Sequence, residues 1–219
     1  MVQAILEGRK SQTRRVAKLP NGNYPEAWFV GDVIDGMAQF TNDQTGREVD
    51  ILCPYGQTGD RLYVRETWRP KGHNFPTGFP YEYKATAEQD GVPVDEPWKS
   101  SMFMPKKAAR IWLKITDIRV GRVQDITEDD VKAEGVRVPV SESNSVLWCL
   151  TDKYPPHDYM PEGILREGNK SKVTSKMIFK AHFASLWDSI NQKRGYGWES
   201  NPWVWIVEFK TISINGRPS

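Results

Sequence analysis

Eight residues near the start of the chain read Gly8-Arg9-Lys10-Ser11-Gln12-Thr13-Arg14-Arg15. They bring one lysine, two hydroxyls and three arginines together just past a glycine, and this composition favours an anion or a polar substrate. The preceding residues have apolar side chains at helical spacing, and glycine often ends a helix in the left-handed conformation. We therefore predict a short helix over residues 1–7 and a loop over residues 8–15, either ligand-binding or merely solvated.

Two later stretches alternate as strands do. Residues 61–68 place Leu62 and Val64 on one face. Residues 109–120 alternate apolar and polar positions, with Trp112 on the polar face, which predicts a core strand.

The second half of the chain has two helical patterns and a closing strand. Thr127 is a good N-cap, and Gly135 is a good C-terminal stop, which predicts a helix over residues 127–134. Residues 176–190 repeat apolar side chains at helical spacing and predict an amphipathic helix. Residues 203–210 are dense in apolar side chains, which predicts a strand buried on both faces.

The stretches between these elements predict loops. Residues 69–104 are rich in glycine, proline and aromatic residues and read as a long loop or lid with one strand near residues 81–84. Residues 138–175 read as an irregular insertion, and residues 213–219 as a tail that frays. We expect a single domain over residues 1–212, with these two insertions.

Charge and length limit the function classes. The chain has 219 residues and a net charge of only +2, from 30 Lys and Arg against 28 Asp and Glu. It therefore lacks the strong overall field of a non-specific nucleic-acid binder, and any such contact has to come from a local patch. Nine tryptophans and eight tyrosines supply rings that fill a core or stack on bases.

The cysteine and histidine content argues against a metal site. Cys53 and Cys149 form no CxxC motif, and three histidines are scattered along the chain. We expect neither a metal nor another cofactor. No leader and no run of membrane-spanning length is present, so we expect a cytoplasmic protein without a membrane partner.

The spacing of Gly8, Lys10 and Arg15 resembles the GxKxxxxR signature of the ASCH domain, a small β-barrel related to the PUA fold of RNA-binding proteins. Three further stretches follow in the family's order and are similar to its long phage and prophage members: residues 59–68, 127–136 and 203–210. The resemblance implies an α+β fold with a small, mostly antiparallel PUA-like barrel, flanking helices and long loop insertions. Family members usually have a strand before the first helix, so either a later segment replaces it here or the natural start lies upstream.

The resemblance also implies a site. In members that remove the acetyl group from N4-acetylcytidine, the positions that correspond to Lys10, Thr13 and Glu134 carry the reaction. A threonine hydroxyl needs a base to become a nucleophile, and a lysine can serve if its surroundings, such as Arg14 and Arg15, favour the neutral amine. Glu134 could hold the lysine, orient a water or pass the proton to the leaving amine. Arg14 and Arg15 are expected to bind the substrate, and Arg15 could instead form a structural salt bridge.

Each catalytic candidate has a plainer interpretation. Lys10 could be a solvated loop lysine, and Thr13 a turn hydroxyl bonded to its own backbone. Glu134 lies next to a helix C-terminus, where the macrodipole disfavours a carboxylate. Because this position is electrostatically unfavourable for a carboxylate, it favours a functional role for Glu134.

The stretch before the long loop supplies three more candidate substrate-binding residues. A buried Glu66 could read the donor edge of cytosine, or it could pair with Arg65 or Arg110. Tyr63 and Trp68 could be stacking platforms for a base, with core packing expected for at least one of them.

Three functions follow from the resemblance and the residues. The first is an amidohydrolase acting on an N4-acylated cytosine. The second is a non-catalytic module that binds RNA or a modified base. The third is a single-strand ribonuclease. In each, the partner is a nucleoside or single-stranded RNA.

Overall fold

The protein is a mixed α/β structure in which antiparallel strands dominate. Its computed structural model describes residues 1–18, 28–71, 80–91, 97–137 and 175–218. The strands are β1 (Gln12–Val16), β2 (Trp28–Ile34), β3 (Met37–Asn42), β4 (Glu48–Leu52), β5 (Arg61–Tyr63), β6 (Trp68–Pro70), β7 (Tyr81–Tyr83), β8 (Trp112–Arg122) and β9 (Trp203–Ser213). The helices are α1 (Val2–Leu6), α2 (Glu128–Ala133) and α3 (Ser175–Asn191).

The main sheet has the order β1-β9-β8-β5, and every neighbouring pair in it is antiparallel. The sheet curls into a half-barrel whose edge strands are β1 and β5. Bulges interrupt the pairing of β8 with β9, between Ile115 and Asp117 among other points. Bulges bend a strand and increase its twist, which is consistent with this curl.

Strand β9 is buried on both faces, as its apolar density predicts. Trp205 and Val207 pack on one side against β2 and β3. Val204 and Ile206 pack on the other side against α3 and the segment around α2. The strand therefore separates two cores, one inside the curl of the sheet and one beneath the helices.

A meander of β2, β3 and β4 covers the inside of the curled sheet. Its buried residues Trp28, Ala38 and Phe40 belong to one core cluster with residues of the main sheet, Ile115, Trp203 and Trp205. The sequence prediction contained no element here, so the meander is an addition to the predicted fold.

The prediction of one strand over residues 61–68 is wrong. Strand β5 pairs with β8, but the chain then turns inward, and Trp68 begins β6 in a separate two-stranded sheet with β7. The turn occurs because Glu66 enters the interior, where its N–H donates to the Met104 sulfur instead of continuing a ladder. Strand β7 confirms the strand predicted near residues 81–84.

The predicted loop over residues 8–15 is only half correct. Residues 8–11 do connect α1 to the next element, but β1 starts at Gln12 and pairs with β9, with Thr13 opposite Val207. This edge strand resembles a loop in sequence because polar side chains occupy both of its faces. Gln12 and Arg14 are nevertheless buried.

The helices agree with the sequence prediction. Thr127 accepts from the Asp130 N–H at 3.1 Å, and the Asp130 carboxylate accepts from the Thr127 N–H at 3.0 Å, which completes a capping box at the start of α2. Gly135 follows α2 with φ of +79°. Helix α3 has the predicted bounds to within a residue at each end.

The remaining predictions concern the termini and insertions. The insertion predicted over residues 138–175 lies outside the described residues except for Ser175, the first residue of α3. Residues 72–79 and 92–96 of the other insertion also lie outside them. In the tail predicted to fray, β9 continues to Ser213, and the Gly216 N–H donates to the Arg110 carbonyl at 2.9 Å.

Candidate functional site

The connection from α1 to β1 is attached to the C-terminal end of α2. The Lys10 ammonium donates to the Glu134 carboxylate at 2.6 Å, to the Glu134 carbonyl at 2.9 Å and to the Gln12 carbonyl at 2.7 Å. The Arg9 guanidinium donates to the Gly135 carbonyl at 2.6 Å, and the Ser11 N–H to a carbonyl in the last turn of α2. Two cations therefore lie at the negative end of this helix and offset the unfavourable position of the Glu134 carboxylate.

Lys10 and Glu134 form a buried ion pair. Their side chains are 6% and 7% exposed. Burial lowers the pKa of Lys10, and Arg15 and Arg14 act in the same direction, whereas Glu134 opposes them. The three acceptors use all three hydrogens of the ammonium, so the arrangement is that of a protonated, fully bonded lysine.

A second ion-pair network holds the carboxylate from the other side. Arg14, 1% exposed, contacts Asp130 at 2.9 Å and Glu134 at 3.6 Å. Asp130 also accepts from Arg119, which bridges it to Glu208 on β9. Burial alone would raise the pKa of Asp130, but the Thr127 N–H and Arg14 outweigh it and hold the pKa well below the usual range. The capping carboxylate of α2 thus also fixes β1 against the helix.

Two buried oxygens at this point have no hydrogen-bond partner within the described part of the chain: Thr13 Oγ1 and Glu134 Oε1. A buried hydroxyl or carboxylate oxygen without a partner costs roughly 1–3 kcal/mol or more, so such atoms call for an explanation. A polar ligand or a water that enters the site would remove that cost. Both atoms are therefore positioned to meet one.

Two cavities meet at the same residues. The first, which we name the α3 lobe, has a volume of about 220 Å³ and lies between β1, the end of α2 and α3. The second, which we name the β5 lobe, has a volume of about 290 Å³ and lies between the sheet edges β1 and β5. Lys10, Thr13 and Arg15 line both lobes, and Glu134 lines the α3 lobe. The lobes therefore adjoin along β1 and form one cleft.

The structure brings most of the predicted site residues to this cleft. Lys10, Thr13, Arg14, Arg15 and Glu134 line the α3 lobe, although 124 residues separate Lys10 from Glu134 in sequence. The structural salt bridge considered for Arg15 is not present in the described residues. Within the described ranges, the Arg15 guanidinium donates to the Arg14 carbonyl and to the Met1 sulfur and forms no ion pair, so its charge is available to a ligand.

The ring of Tyr63 lines the β5 lobe, together with Tyr55 and Arg65. Arg65 lies over the Tyr63 ring at 5.8 Å from its centroid and donates to its hydroxyl. This lobe therefore offers aromatic faces and a further cation, which suit a flat, polar ring.

Glu66, the fourth residue expected in the pocket, lines neither lobe. Its side chain is 1% exposed, and Arg110 donates to both carboxylate oxygens at 3.0 and 3.1 Å. Arg110 also bonds Thr86 and stacks over Tyr83 at 4.1 Å. Burial raises the pKa of Glu66, and Arg110 opposes that shift. The alternative of pairing with Arg110 is therefore the one observed.

Trp68 is likewise a core residue rather than a wall of the cleft. It is 6% exposed and packs edge-on against Tyr81, in a cluster with Tyr83 and Trp112. Trp112 itself, expected on the polar face of its strand, is buried in this cluster. The short β6–β7 sheet needs such an aromatic core because two strands alone are marginally stable.

The sequence interpretation missed the wall that α3 gives to the cleft. Phe183, Leu186, Trp187 and Ile190 line the α3 lobe, and Leu186 and Ile190 are 45% and 50% exposed. The signal was present, because α3 carries apolar residues on more of its circumference than the contact with β9 requires. An exposed apolar rim beside a cavity is a common feature of binding sites.

The described residues hold no group of three or more His, Cys, Asp or Glu side chains arranged to bind a metal ion. Nor does any helix in those residues have the length and apolar character needed to cross a bilayer.

Comparisons of the chain with protein-family models, with curated proteins and with solved structures gave no match. The functional argument therefore depends on the geometry of the cleft and on the sequence resemblance described above.

Proposed function

We propose that the chain is an ASCH-like, PUA-related protein that binds a cytosine nucleoside in the cleft and hydrolyses an acyl group from its N4 nitrogen. One observation carries the proposal. The Thr13 hydroxyl is buried without a hydrogen-bond partner in the described residues, and Thr13 lines both lobes with Lys10 and shares the α3 lobe with Glu134. A nucleophile, a base and a cavity on each side are the parts that acyl transfer needs.

In the proposed reaction, Thr13 Oγ1 attacks the acyl carbonyl carbon and forms an ester with it. The proton of Thr13 passes to Glu134 Oε1, the carboxylate oxygen that is not bonded to Lys10. The C–N bond then breaks, and the N4 amine leaves with a proton from the Lys10–Glu134 pair. Water hydrolyses the ester, which releases the carboxylic acid and restores the hydroxyl.

Lys10 has two roles in this scheme. As an ammonium it orients Glu134 and stabilises the negative charge that develops near it. Because burial lowers its pKa, Lys10 can also give up a proton more readily than a solvated lysine. It lines both lobes and is therefore placed between the nucleophile and the leaving amine.

The dimensions and charges of the cleft support a small, polar substrate. Each lobe is smaller than the roughly 300–1,000 Å³ of pockets for drug-sized ligands, so one lobe fits a single base or a group of similar size. The lining residues include four cations, Lys10, Arg14, Arg15 and Arg65, and one carboxylate, Glu134, and Arg14 is also paired with Asp130 behind the lining. Base carbonyls and phosphates are the acceptors that such a set prefers. The curled antiparallel sheet is compatible with the small barrel of the ASCH family.

A second candidate function, binding without chemistry, has its own supporting observation. Lys10 uses its three hydrogens on Glu134 and Gln12, which is what a purely structural lysine would do. In that case the cleft would bind RNA or a modified base, with Arg15 and Tyr63 as contacts, and Thr13 would donate to the ligand.

The decisive experiment incubates the protein with N4-acetylcytidine and, separately, with single-stranded RNA, and follows both by chromatography. We expect cytidine and acetate from the first and intact RNA from the second. Thr13→Ala should abolish turnover while N4-acetylcytidine still binds in calorimetry, because the hydroxyl acts mainly in the transition state. Thr13→Ser is the matched control and should keep measurable turnover.

Each other outcome selects a different function. Binding of N4-acetylcytidine without turnover by the wild type would favour the binding module. RNA cleavage that depends on Lys10 and Glu134 but not on Thr13 would favour a ribonuclease. Full hydrolysis by Thr13→Ala would exclude the mechanism proposed here.

A further inference from the structure

The two lobes of the cleft differ in the groups that they present on the far side of Thr13. Beyond the shared residues, the β5 lobe is lined by Tyr55, Tyr63 and Arg65 among apolar side chains of the main sheet and α1. The α3 lobe instead extends toward Phe183, Leu186, Trp187 and Ile190. Both lobes are mainly apolar, and what distinguishes the β5 lobe is the two tyrosines and Arg65, which suit a flat, polar base. A substrate that spans Thr13 would therefore place its base in the β5 lobe and its acyl group in the α3 lobe.

Two side-chain N–H donors of residues that line the α3 lobe are already engaged. Trp187 Nε1 donates to the Tyr196 carbonyl at 2.8 Å, and Asn191 Nδ2 donates to the Trp187 carbonyl at 3.2 Å. The rings of Trp187 and Phe183 pack together at 6.1 Å between centroids. This end of the lobe thus offers mainly carbon surface to an occupant.

The α3 lobe is larger than an acetyl group requires. At about 30 Å³ for a water-sized group, its 220 Å³ accommodates roughly seven such groups, which corresponds to a carbonyl oxygen and about six carbons. The methyl of an acetyl group would fill about one of these positions. Leu186 and Ile190, half exposed at the rim, would also gain cover from a longer chain.

From these observations we propose that the preferred substrate carries an unbranched acyl chain of about four to six carbons, that the α3 lobe binds this chain and that Leu186 sets its length. This inference rests on the proposed function, because it assigns the acyl group of that substrate to one lobe and the base to the other. Burial of each additional methylene is expected to raise kcat/KM about fourfold until the lobe is full.

The test compares N4-acetyl-, N4-butyryl- and N4-hexanoylcytidine as substrates. We expect butyryl to exceed acetyl in kcat/KM by about 15-fold, from two buried methylenes. Leu186→Trp, which places an indole at the lobe, should reduce the butyryl-to-acetyl ratio about tenfold. Ser189→Trp is the matched control: it adds the same ring to an exposed position of α3 that does not line the lobe, so the ratio should stay at the wild-type value.

A binding measurement separates this inference from the proposed function. The three nucleosides are titrated calorimetrically into Thr13→Ala, which needs no turnover. Affinity that rises with chain length, and falls for hexanoyl when Leu186→Trp is added, supports the acyl lobe even if the wild type hydrolyses nothing. A preference for acetyl in both measurements, or chain-length selectivity that Leu186→Trp leaves intact, would overturn the inference while leaving the hydrolase proposal in place.

Discussion

Two glutamates in the described part of the chain, Glu134 and Glu66, have side chains less than a tenth exposed and pair with a cation, and of the two only Glu134 lines the cleft. Glu134 with Lys10 and Glu66 with Arg110 both have carboxylates exposed by less than a tenth, with donors at 2.6 Å and about 3.0 Å. In the Glu66–Arg110 pair, Arg110 bonds both oxygens of the carboxylate. In the Lys10–Glu134 pair, one oxygen has no hydrogen-bond partner in the described residues and only a longer 3.6 Å contact with Arg14, and Glu134 lines the α3 lobe with Thr13.

The difference shows what separates a structural pair from a candidate catalytic one. Burial and pairing are common to both, and both perturb the pKa of one member. What differs is an acceptor that stays unbonded next to open space and beside a possible nucleophile. Perturbed titration alone therefore does not identify the site, since structural ion pairs perturb pKa values as well.

The first prediction separates the two pairs by activity. Glu134→Gln keeps the shape of the side chain but removes the base, so turnover of an N4-acylcytidine should fall about 10²–10⁴-fold. Glu66→Gln should leave the turnover of the folded protein within a few-fold of wild type, because Glu66 lines neither lobe. Steady-state kinetics with circular dichroism checks both. Equal losses in the two variants would contradict the distinction drawn here.

The stability of variants in the Glu66–Arg110 pair sharpens the comparison. Removing one partner of a buried pair typically costs about 3–5 kcal/mol, so Glu66→Ala should lower the free energy of unfolding by that order. Replacing Glu66 and Arg110 together by Met and Leu should recover much of the loss, because no buried charge then remains unpaired. Denaturant unfolding of the single and double variants measures this. A double variant as unstable as Glu66→Ala would mean that the loss comes from packing.

How much of this arrangement the sequence could predict depends on the kind of interaction. Lys10 and Glu134 could be assigned to one site because the ASCH resemblance aligns both positions, despite their separation in the chain. The environment of Glu66 could not be predicted in this way. Whether Glu66 lies in the pocket or in the core depends on whether Arg110 reaches it, and the alternation of apolar and polar residues does not encode that contact. A Glu beside two arginines was ambiguous from sequence alone.

The fold shows the same limit. Strand β9 was predictable because it is densely apolar, α3 because its apolar residues recur at helical spacing, and α2 because Thr127 and Gly135 mark its ends. Strand β1 was not, because its buried face carries Gln12 and Arg14, whose burial depends on α2 residues more than a hundred positions away. The meander was omitted although Ala38 and Phe40 alternate with polar neighbours.

The second prediction tests whether close packing around Gly135 holds Lys10 in position for the Lys10–Glu134 pair. Gly135 has φ of +79°, and a Cβ there would lie 2.8 Å from the Ala4 Cβ and 2.9 Å from the Lys10 Cβ. Gly135→Ala should therefore displace Lys10 and lower both activity and stability. Gly8→Ala is the control, since Gly8 has φ of +71° but open space around it, so it should cost only the backbone strain of about 1–2 kcal/mol. Equal effects of the two substitutions would show that the close approach of Ala4 and Lys10 to Gly135 does not contribute to activity or stability.

The third prediction uses the opposite pKa shifts of the two pairs. The pKa of Lys10 lies below its ordinary value of 10.5, so the folded protein loses this proton first, and stability rises with pH between the folded and unfolded values. The pKa of Glu66 lies above its ordinary value of 4.5, so its contribution is complete below pH 4.5 and is lost as pH rises through the folded value. These two slopes have opposite signs.

The two contributions are isolated by measuring the free energy of unfolding as a function of pH. At each pH, the value of the variant is subtracted from that of the wild type. The difference from Lys10→Met should grow with pH in the alkaline window below 10.5. The difference from Glu66→Gln should shrink as pH rises above 4.5. A flat difference in either window would mean that the group titrates alike in the folded and unfolded chains.

The smallest predicted effect concerns the cap that positions the Lys10–Glu134 pair through α2. Thr127→Ala removes the hydroxyl that accepts from the Asp130 N–H and should cost about 1 kcal/mol of unfolding free energy. Thr127→Ser keeps the hydroxyl and should cost less than half as much. Because Asp130 also holds Arg14, which contacts Glu134, loss of the cap should lower turnover slightly in the alanine variant but not in the serine variant. If the alanine variant loses stability with kcat unchanged, Glu134 is positioned by Lys10 and Arg14 without help from the capping box.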